Sequence, residues 1–341
     1  MSVLSGLAAT MSAYGESFMR AQFATVVAAS EATHDSTWLP FGALQPRPHE
    51  AWWLSTVHTG LIRGPLAKAM RRRWIAHHVG AVDVERQGLK FRLDPAVNIT
   101  DGKILWSSRR HDRVELRALA GAASGGCFVD VGANIGYYAL QLAKAGAARV
   151  IAIEPNPVTL ARLRFHIANN TCGRTIDVAP FAVGPSGRFE LFLPPHNLGE
   201  ASLCPPASGS ADLSVDSMEV ETLPLLDLLR RYGVDRVDAM KVDIEGFEYA
   251  ALAPYFAAAP EALKPRCLVV EHCHLDAVAS LFEDTGPAGD QFGVPFSSAD
   301  NSALAVAGLD RAHESLFALL ERHGYRTFKR VRKNTILMRQ G

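Results

Sequence analysis

Four acidic residues of this chain each follow a short apolar run and could do chemistry at the end of a strand. Asp130 and Glu154 come first in the sequence, and Asp243 and Glu271 follow much further along. Carboxylates in such positions can bind a cation, accept a hydrogen bond from a hydroxyl group or take up its proton. Parallel strands would bring the four together, because their carboxyl ends meet at one edge of a sheet.

A turn of small residues follows Asp130. Gly132, Ala133 and Gly136 would let backbone N–H groups and the start of a helix approach a ligand closely. Glu154 closes the next strand, 22 positions after Gly132, where a carboxylate can hold a ribose diol. An acid inside the turn would repel a pyrophosphate and attract a cation. Together these features favour S-adenosylmethionine over a dinucleotide as the cofactor.

Two other nucleotide-binding patterns are not met. Asn134 stands where the dinucleotide pattern G-x-G-x-x-G has its second glycine, and no Gly-Lys-Ser/Thr sequence follows the turn as it does in a P-loop. The charge of Asp130, which would repel a pyrophosphate, also disfavours a dinucleotide. A nicotinamide oxidoreductase is therefore disfavoured and is kept as an alternative.

A second group of polar residues lies in the segment 240–248. Alternation along a strand places Lys241 and Asp243 on one face. Asp243 and Glu245 form a carboxylate pair that could bind the amino group of the cofactor, orient a substrate hydroxyl or accept its proton. The alternative is that Lys241 only pairs with an acid and neutralises a partly buried charge. We favour the functional interpretation for all three residues.

A third group, Glu271, His272, Cys273 and His274, could suggest a metal site. Alternation sends the two histidines to the face opposite Glu271 and Cys273, and no second cluster of histidine or cysteine completes a coordination shell. We therefore predict no metal. A substrate-facing Glu271, with His272 as an auxiliary residue, is favoured instead.

Composition indicates an ordinary globular protein. Of its 341 residues, 48% are apolar and 21% are charged, and 35 basic side chains balance 35 acidic ones. This balance favours neither nucleic acid nor an anionic membrane as a partner, and no run approaches the ~20 apolar residues that span a bilayer. The five cysteines form no CxxC pair, and the first thirty residues lack the features of a secretory signal. We expect reduced thiols and a cytoplasmic location.

The alternation of strands and helices after residue 113 predicts an α/β fold with a doubly wound, mostly parallel sheet. Right-handed crossovers would place the carboxyl ends of its strands on one rim. The predicted strands of this sheet are 127–131, 150–153, 176–183, 239–243 and 267–271, followed by a hairpin at 326–331 and 335–338. Other predicted elements are helices within 52–74, a hairpin at 82–85 and 89–93, and a β pair at 187–193 and 217–220.

The first 85 residues are predicted to be an N-terminal extension, followed by a catalytic domain at 86–341. Residues 34–48 contain three prolines and are typical of a linker. The sequence leaves open whether the extension is disordered or packs as a helical appendage.

Several short motifs occur together in this chain. Asp-Val-Gly-Ala-Asn-Ile-Gly-Tyr-Tyr stands at 130–138, Glu-Pro-Asn at 154–156 and Lys-x-Asp-x-Glu-Gly at 241–246, and a later strand ends in Glu271. Together they resemble the FkbM family of S-adenosylmethionine-dependent methyltransferases, over roughly residues 91 to 338. The family's usual Thr-Leu-Asp-Asp is replaced by Thr-Leu-Pro-Leu-Leu-Asp at 222–227, so no role is assigned to Asp227.

The resemblance implies a class I methyltransferase fold of seven strands in the order 3-2-1-4-5-7-6, with an antiparallel final hairpin. It also implies that Glu154 binds the ribose and that Phe181 or Ala182 neighbours the adenine, while Asp243 and Glu245 face the reaction centre. The other cofactor-binding residues predicted are Asp130, Gly132, Ala133, Asn134, Gly136, Tyr137, Pro155 and Asn156.

The function predicted from these residues is in-line transfer of a methyl group to a hydroxyl of a sugar, glycan or secondary metabolite. The predicted catalytic residues are Lys241, Asp243, Glu245, Glu271 and His272, and the loops at 194–216 and 284–301 would form lids or acceptor walls. The alternative is an inactive cofactor-binding module that acts as an interaction partner within a biosynthetic assembly.

Overall fold

The computed structural model describes residues 37–59, 64–78, 80–107, 111–194, 197–204, 216–271 and 316–340. The elements up to residue 168 are α1 (Pro48–His58), α2 (Gly64–His77), β1 (Val82–Arg86), β2 (Leu89–Leu93), α3 (Ile99–Trp106), α4 (Arg113–Ala123), β3 (Cys127–Val131), α5 (Tyr137–Lys144), β4 (Arg149–Ile153) and α6 (Pro157–Ala168). The elements after it are β5 (Ile176–Ala179), β6 (Ala182–Val183), β7 (Gly187–Leu193), β8 (Asp216–Leu223), α7 (Leu225–Arg231), β9 (Ala239–Val242), α8 (Glu248–Ala258), β10 (Cys267–Glu271), α9 (Leu316–Arg322), β11 (Tyr325–Val331) and β12 (Asn334–Arg339).

Seven strands form the central sheet, in the order β5-β4-β3-β9-β10-β12-β11. Numbered along the chain, this is the predicted order 3-2-1-4-5-7-6. The pairs from β5 to β10 are parallel, and β12 runs antiparallel to both of its neighbours. The predicted α/β fold and the antiparallel final hairpin are therefore confirmed. The carboxyl ends of β3, β4 and β9 lie side by side, since the register pairs Val131 with both Ile153 and Val242.

Strands β3, β4, β9 and β10 of the sheet are buried on both faces, as their apolar residues require. Along β3, Phe128 packs with the cluster formed by α1 to α6, and Val129 packs with the cluster formed by α7, α8 and α9. The same alternation puts Lys241 on the face of Phe128 and Val242 on the opposite face. The strand period thus determines which acids share a side of the sheet.

One predicted strand, 176–183, is wrong as a single element. The structure has β5 and β6 instead, with Pro180 and Phe181 between them, and β6 joins β7 and β8 in a separate three-stranded sheet. Pro180 has no N–H to donate to a ladder, so the chain leaves the central sheet there. The predicted pairing of β7 with β8 is confirmed.

The described part of the predicted extension packs on the core of the domain. Leu54, Val57 and Trp74, from α1 and α2, belong to the same buried cluster as Phe128 of the central sheet. The β1–β2 hairpin spans the boundary predicted at residue 85. In the structure, residues 37–59 and 64–78 therefore share one core with the sheet.

A buried ion pair anchors this N-terminal part. The Arg92 guanidinium donates to both carboxylate oxygens of Asp83 at 2.7 Å and to the carbonyl oxygens of Leu39 and Pro40 at 2.8 and 2.9 Å. Asp83 also accepts the N–H groups of Gly42 and Leu44. These bonds satisfy both buried charges, which is the condition for burying an ion pair without a large penalty.

His166, on α6, connects the hairpin to the turn after β3. Its Nδ1 lies 2.8 Å from the Ile135 carbonyl oxygen, and its Nε2 accepts the Arg92 N–H at 3.0 Å. Burial, reinforced by the charge of Arg162, lowers the pKa of His166 to about 4, so the ring is neutral and donates through Nδ1. The segment before the sheet is thereby joined to the segment that follows β3.

Across the described ranges, from residue 37 to residue 340 with their gaps, no helix combines the length and apolar character that crossing a membrane requires.

Candidate active site

An open cleft of about 550 Å³ lies at the carboxyl ends of β3, β4 and β9. Its lining comes from the turn after β3, the end of β4, the loop after β9 and the segment 198–203, among others. The residues that line it are Val131, Gly132, Asn134, Ile153, Glu154, Pro155, Phe181, Ala182, Val183, Leu191, Leu198, Gly199, Ala201, Leu203, Asp243, Ile244, Glu245 and Phe247. This is the position at which an open α/β sheet binds its ligand.

The turn after β3 requires its glycines. Gly132 has φ +80°, and a Cβ there would overlap the backbone oxygen of Asp243. Gly136 has φ +88°, and a Cβ there would overlap the side chain of Leu163. The N–H groups of Gly132 and Ala133 both donate to the Ile153 carbonyl oxygen, at 3.0 and 2.9 Å. The turn is therefore pressed between β4, β9 and α6, and small residues alone allow this approach.

Glu154 is the acid nearest the turn. Its Oε2 accepts the Asn134 N–H at 2.8 Å, and its Oε1 accepts the Asn156 N–H at 2.9 Å. The side chain is buried but lines the cleft. Burial raises the pKa of Glu154 to about 7, although the two amide donors act in the opposite sense. Each carboxylate oxygen can accept a further hydrogen bond, so Glu154 could hold a pair of ligand hydroxyls.

Glu154→Gln is expected to reduce the pH dependence of stability. The pKa of Glu154 lies at about 7 in the folded protein, against an ordinary value of 4.5. Its protonated form therefore favours folding, and this contribution is lost as the pH rises from about 4.5 through about 7. Glutamine cannot ionise, so the free energy of unfolding should fall less between pH 5 and pH 8 than in the unmodified protein.

Urea unfolding at these two pH values measures that difference. Glu219→Gln, at a side chain that is 59% exposed, is the matched control and should behave like the unmodified protein. If the free energy of unfolding of Glu154→Gln falls between pH 5 and pH 8 as much as that of the unmodified protein, the raised pKa of Glu154 is contradicted.

Asp130 lies behind the cleft and does not line it. Its side chain is 1% exposed, and Oδ2 accepts the Ala139 N–H of α5 at 3.0 Å. On the neighbouring strand it pairs in register with Lys241. Burial raises the pKa of Asp130 to about 7 even though Lys241 is beside it. Asp130 thus holds the start of α5, and its role as a cofactor contact stays a prediction.

Three carboxylates cluster beyond β9, two of which, Asp243 and Glu245, line the cleft while Glu271 lies beside them. Oxygen atoms of Asp243, Glu245 and Glu271 all lie within 4.8 Å of one another. Lys241 Nζ donates to Asp243 Oδ2 at 2.6 Å and lies 4.8 Å from the centre of the Tyr138 ring. The three acids are close enough to share one cation, an arrangement that the sequence analysis did not anticipate for this set.

The surroundings of these acids separate their pKa values. Burial alone would raise the pKa of Asp243, but the charge of Lys241 holds it below its ordinary value. Burial, together with the charges of Asp243, Glu271 and Glu200, raises the pKa of Glu245 well above its ordinary value. These shifts favour Asp243 as an ionised acceptor and Glu245 as a protonated donor. Two acids with opposite protonation states at one site can take different roles toward a hydroxyl group.

The loop after β9 brings Glu245 into this position. Glu245 has φ +53° and Gly246 has φ +101°, so two successive residues are left-handed. The Glu248 carboxylate accepts the N–H groups of Ile244 and Gly246, at 3.0 and 3.1 Å, and so closes the loop at the start of α8. A non-glycine residue with positive φ costs free energy and is often found at a functional site.

The FkbM methyltransferase domain matches residues 130–327, more than half of the 341-residue chain. The chain belongs to this family. The match includes the turn after β3, Glu154, Lys241 and the three clustered carboxylates, so the family confirms the resemblance inferred from the motifs.

The chain is also similar to individual proteins. Methyltransferase sdnD of Sordaria araneosa is 29% identical over 160 residues, which are 39% of this chain and 62% of that protein. The chain therefore matches under two thirds of that relative's length. Methyltransferase FkbM of Methylobacillus flagellatus KT is 21% identical, with a TM-score of 0.33 over 62% of this chain and 42% of its own. The O-methyltransferase TomG of Streptomyces achromogenes is 13% identical, with a TM-score of 0.36 over 67% and 78%.

The FkbM motif residues divide between the cleft and its support. Tyr137 is buried and donates its hydroxyl hydrogen to the His111 carbonyl oxygen, and Asn156 caps α6 by accepting the Val158 N–H at 3.0 Å. The predicted site residues that line the cleft are Gly132, Asn134, Glu154, Pro155, Phe181, Ala182, Asp243 and Glu245. The predicted residues Ala133, Gly136, Tyr137, Asn156, Lys241 and Glu271 lie outside that lining, as Asp130 does. His272, Cys273 and His274, and the loop 284–301, lie outside the described residues.

The structure adds cleft residues that the FkbM motifs do not contain. Leu198, Gly199 and Leu203 line the cleft, and they belong to the polar insert predicted to act as a lid or acceptor wall. Phe247 also lines the cleft. The insert has little periodic pattern, so nothing in the sequence indicated which of its residues would face the ligand.

Proposed function

We propose that this chain transfers a methyl group from S-adenosylmethionine to a hydroxyl oxygen of a small-molecule acceptor, with a sugar, a glycan or a secondary metabolite as the favoured classes. One observation carries the proposal: a single cleft has Glu154 at one end and Asp243 with Glu245 at the other. A ligand with both a ribose and a cationic sulfur matches this distribution of acids.

The residues present fit this cofactor. Glu154 accepts two backbone N–H groups and can accept further hydrogen bonds from ribose hydroxyls. Phe181 and Ala182 offer a buried apolar wall for the adenine. When bound, S-adenosylmethionine supplies an electrophilic methyl group on a positively charged sulfur. The acids around the cleft favour that positive charge, because a carboxylate attracts a nearby cation.

The two acids at the reaction end would divide the work on the acceptor. Ionised Asp243 would accept the hydrogen bond of the acceptor hydroxyl and take its proton at a carboxylate oxygen. A base with a low pKa suffices, because a hydroxyl oxygen becomes strongly acidic as it gains a methyl group. Protonated Glu245 would donate a hydrogen bond and orient the acceptor. Most of the acceleration would come from holding the reacting atoms in line.

Two measurements test the proposal. Calorimetric titration of the full chain with S-adenosylmethionine, S-adenosylhomocysteine and NAD should give binding of the first two and none of NAD. Incubation with methyl-labelled cofactor and a panel of polyols, sugars, phenols, amines and thiols should then place the label on oxygen, as read by mass spectrometry. Binding of NAD in their place would favour an oxidoreductase, and label on amines or thiols alone would overturn O-methylation.

A further inference from the structure

Asn98 lies before the residues matched by the family domain, at the cap of α3, and its side chain is 1% exposed. Its Oδ1 accepts the Thr100 N–H at 2.9 Å, which is an ordinary helix cap. Its Nδ2 donates to Asn134 Oδ1 at 2.9 Å, across 36 positions of sequence. This second bond reaches the turn that lines the cleft.

The orientation of both amides is determined by their other partners. Asn134 Oδ1 also accepts the Ile135 N–H at 2.8 Å, so that atom must be the oxygen. Asn98 Oδ1 holds the Thr100 N–H, so the group that faces Asn134 must be the Nδ2 donor. Residue 98 therefore needs an acceptor and a donor at once, and asparagine provides both.

Asn134 controls the shape of the cofactor turn. Its backbone is left-handed, with φ +51°, and its N–H donates to Glu154 Oε2. Asparagine tolerates this conformation better than most residues, but the conformation still costs free energy. The bond from Asn98 fixes the Asn134 side chain, and so supports both the turn and the orientation of Glu154.

The same residues also contact the segment 197–200, whose Leu198 and Gly199 line the cleft. The Leu198 N–H donates to the Val97 carbonyl oxygen at 3.1 Å, and Asn197 Oδ1 accepts the Ile99 N–H at 3.2 Å. A Cβ on Gly199 would overlap Asn134 Nδ2 and would lie 3.2 Å from Asn98 Oδ1. The beginning of α3 thus contacts both the turn and the segment 197–200 that packs against it.

We propose that Asn98 is a positioning residue for the cofactor: it holds Asn134 and the segment 197–200 in the spacing that S-adenosylmethionine requires. This inference rests on the proposed function and deepens it. The rival explanation is that Asn98 only caps α3.

Calorimetric titration with S-adenosylhomocysteine separates the two explanations. Asn98→Asp and Asn98→Ser both keep a side-chain oxygen for the cap and lose the donor to Asn134. Each should weaken binding by about tenfold or more, because Asn134 Oδ1 loses one of its two donors and the Asn134 side chain is no longer held from α3. Both variants should still unfold cooperatively in urea, which shows that the weaker binding does not come from an unfolded protein. Asn98→Ser excludes an effect of the added charge and serves alone if Asn98→Asp does not fold.

Asn169→Asp is the matched control, because Asn169 also loses an Nδ2 donor, here to the Phe165 carbonyl oxygen at 2.8 Å, and does not line the cleft. It should bind S-adenosylhomocysteine as the unmodified protein does. If the two Asn98 variants also bind normally, Asn98 is only a cap and the inference is overturned. If the unmodified protein itself does not bind, the proposed function fails, which is a distinguishable result.

Discussion

Asp243→Asn is expected to lower the turnover of a hydroxyl acceptor by about 10²–10⁴-fold, the usual contribution of a positioned proton acceptor. Asparagine keeps the size of the side chain and an oxygen for Lys241, so the fold should survive. Binding of S-adenosylhomocysteine should change only a few-fold, because Glu154 at the far end of the cleft is untouched. Steady-state kinetics with an acceptor found in the panel measures the first effect, and calorimetry measures the second.

The low pKa of Asp243 has a consequence for the dependence of activity on pH. Since Lys241 holds the pKa of Asp243 below its ordinary value, its ionisation should produce no loss of activity between pH 5 and pH 8. Asp227→Asn, at a side chain 54% exposed on α7, is the control and should leave turnover unchanged. Unchanged turnover in Asp243→Asn would remove Asp243 from the mechanism and leave Glu245 or Glu271 as the acceptor of the proton.

Lys241→Met is expected to lower the free energy of unfolding by about 3–5 kcal/mol at pH 8, the usual cost of leaving a buried charge without its partner. Lys241 is 4% exposed and contacts Asp243, and it pairs in register with Asp130. Burial would lower the pKa of Lys241, but Asp243, Asp130 and Glu271 hold it above its ordinary value. The lysine is therefore charged, and methionine would leave Asp130 and Asp243 to bear the full cost of burial.

The loss should shrink as the pH falls. Without Lys241 the pKa of Asp243 would rise above its value in the unfolded chain, so this acid would favour folding when protonated and oppose it as the pH increases. Urea unfolding at pH 5 and pH 8 should show a wider gap between Lys241→Met and the unmodified protein at pH 8. Arg188→Met is the control, since Arg188 and its partner Glu219 are 54% and 59% exposed and lie 2.7 Å apart, and such a surface pair contributes about 0–1 kcal/mol. A gap at pH 8 no larger than that of this control would contradict the prediction.

Much of the fold could be predicted from the period of the apolar residues. The strands at 127–131 and 267–271 and the hairpin at 82–93 are all observed, because each has a local pattern that only one element satisfies. The strand predicted at 176–183 is divided by Pro180, a local signal that was outweighed by the apolar residues around it. The helix α3 was not predicted, since eight residues with one interior glycine show little periodicity.

The candidate site was predicted less completely. The positions of Glu154 and Asp243 at strand ends follow from the motifs, and both line the cleft. Asp130 is at the same kind of position, yet its side chain lies on the α5 face beside Lys241, because strand alternation and the start of α5 direct it there. Glu245 lies near Asp243 and Glu271 because of a left-handed turn, which the spacing of apolar residues does not predict.

The sequence by itself therefore determined the order of the elements, the family and the acids available at the strand ends, since these depend on residue types and on spacings within single elements. Only the tertiary structure decided which of those acids share a cleft, how Lys241 separates the pKa values of Asp243 and Glu245, and that Asn98 bonds to Asn134. These are contacts between segments distant in the chain, and their distances are set by the packing of helices on both faces of the sheet, which no local pattern records.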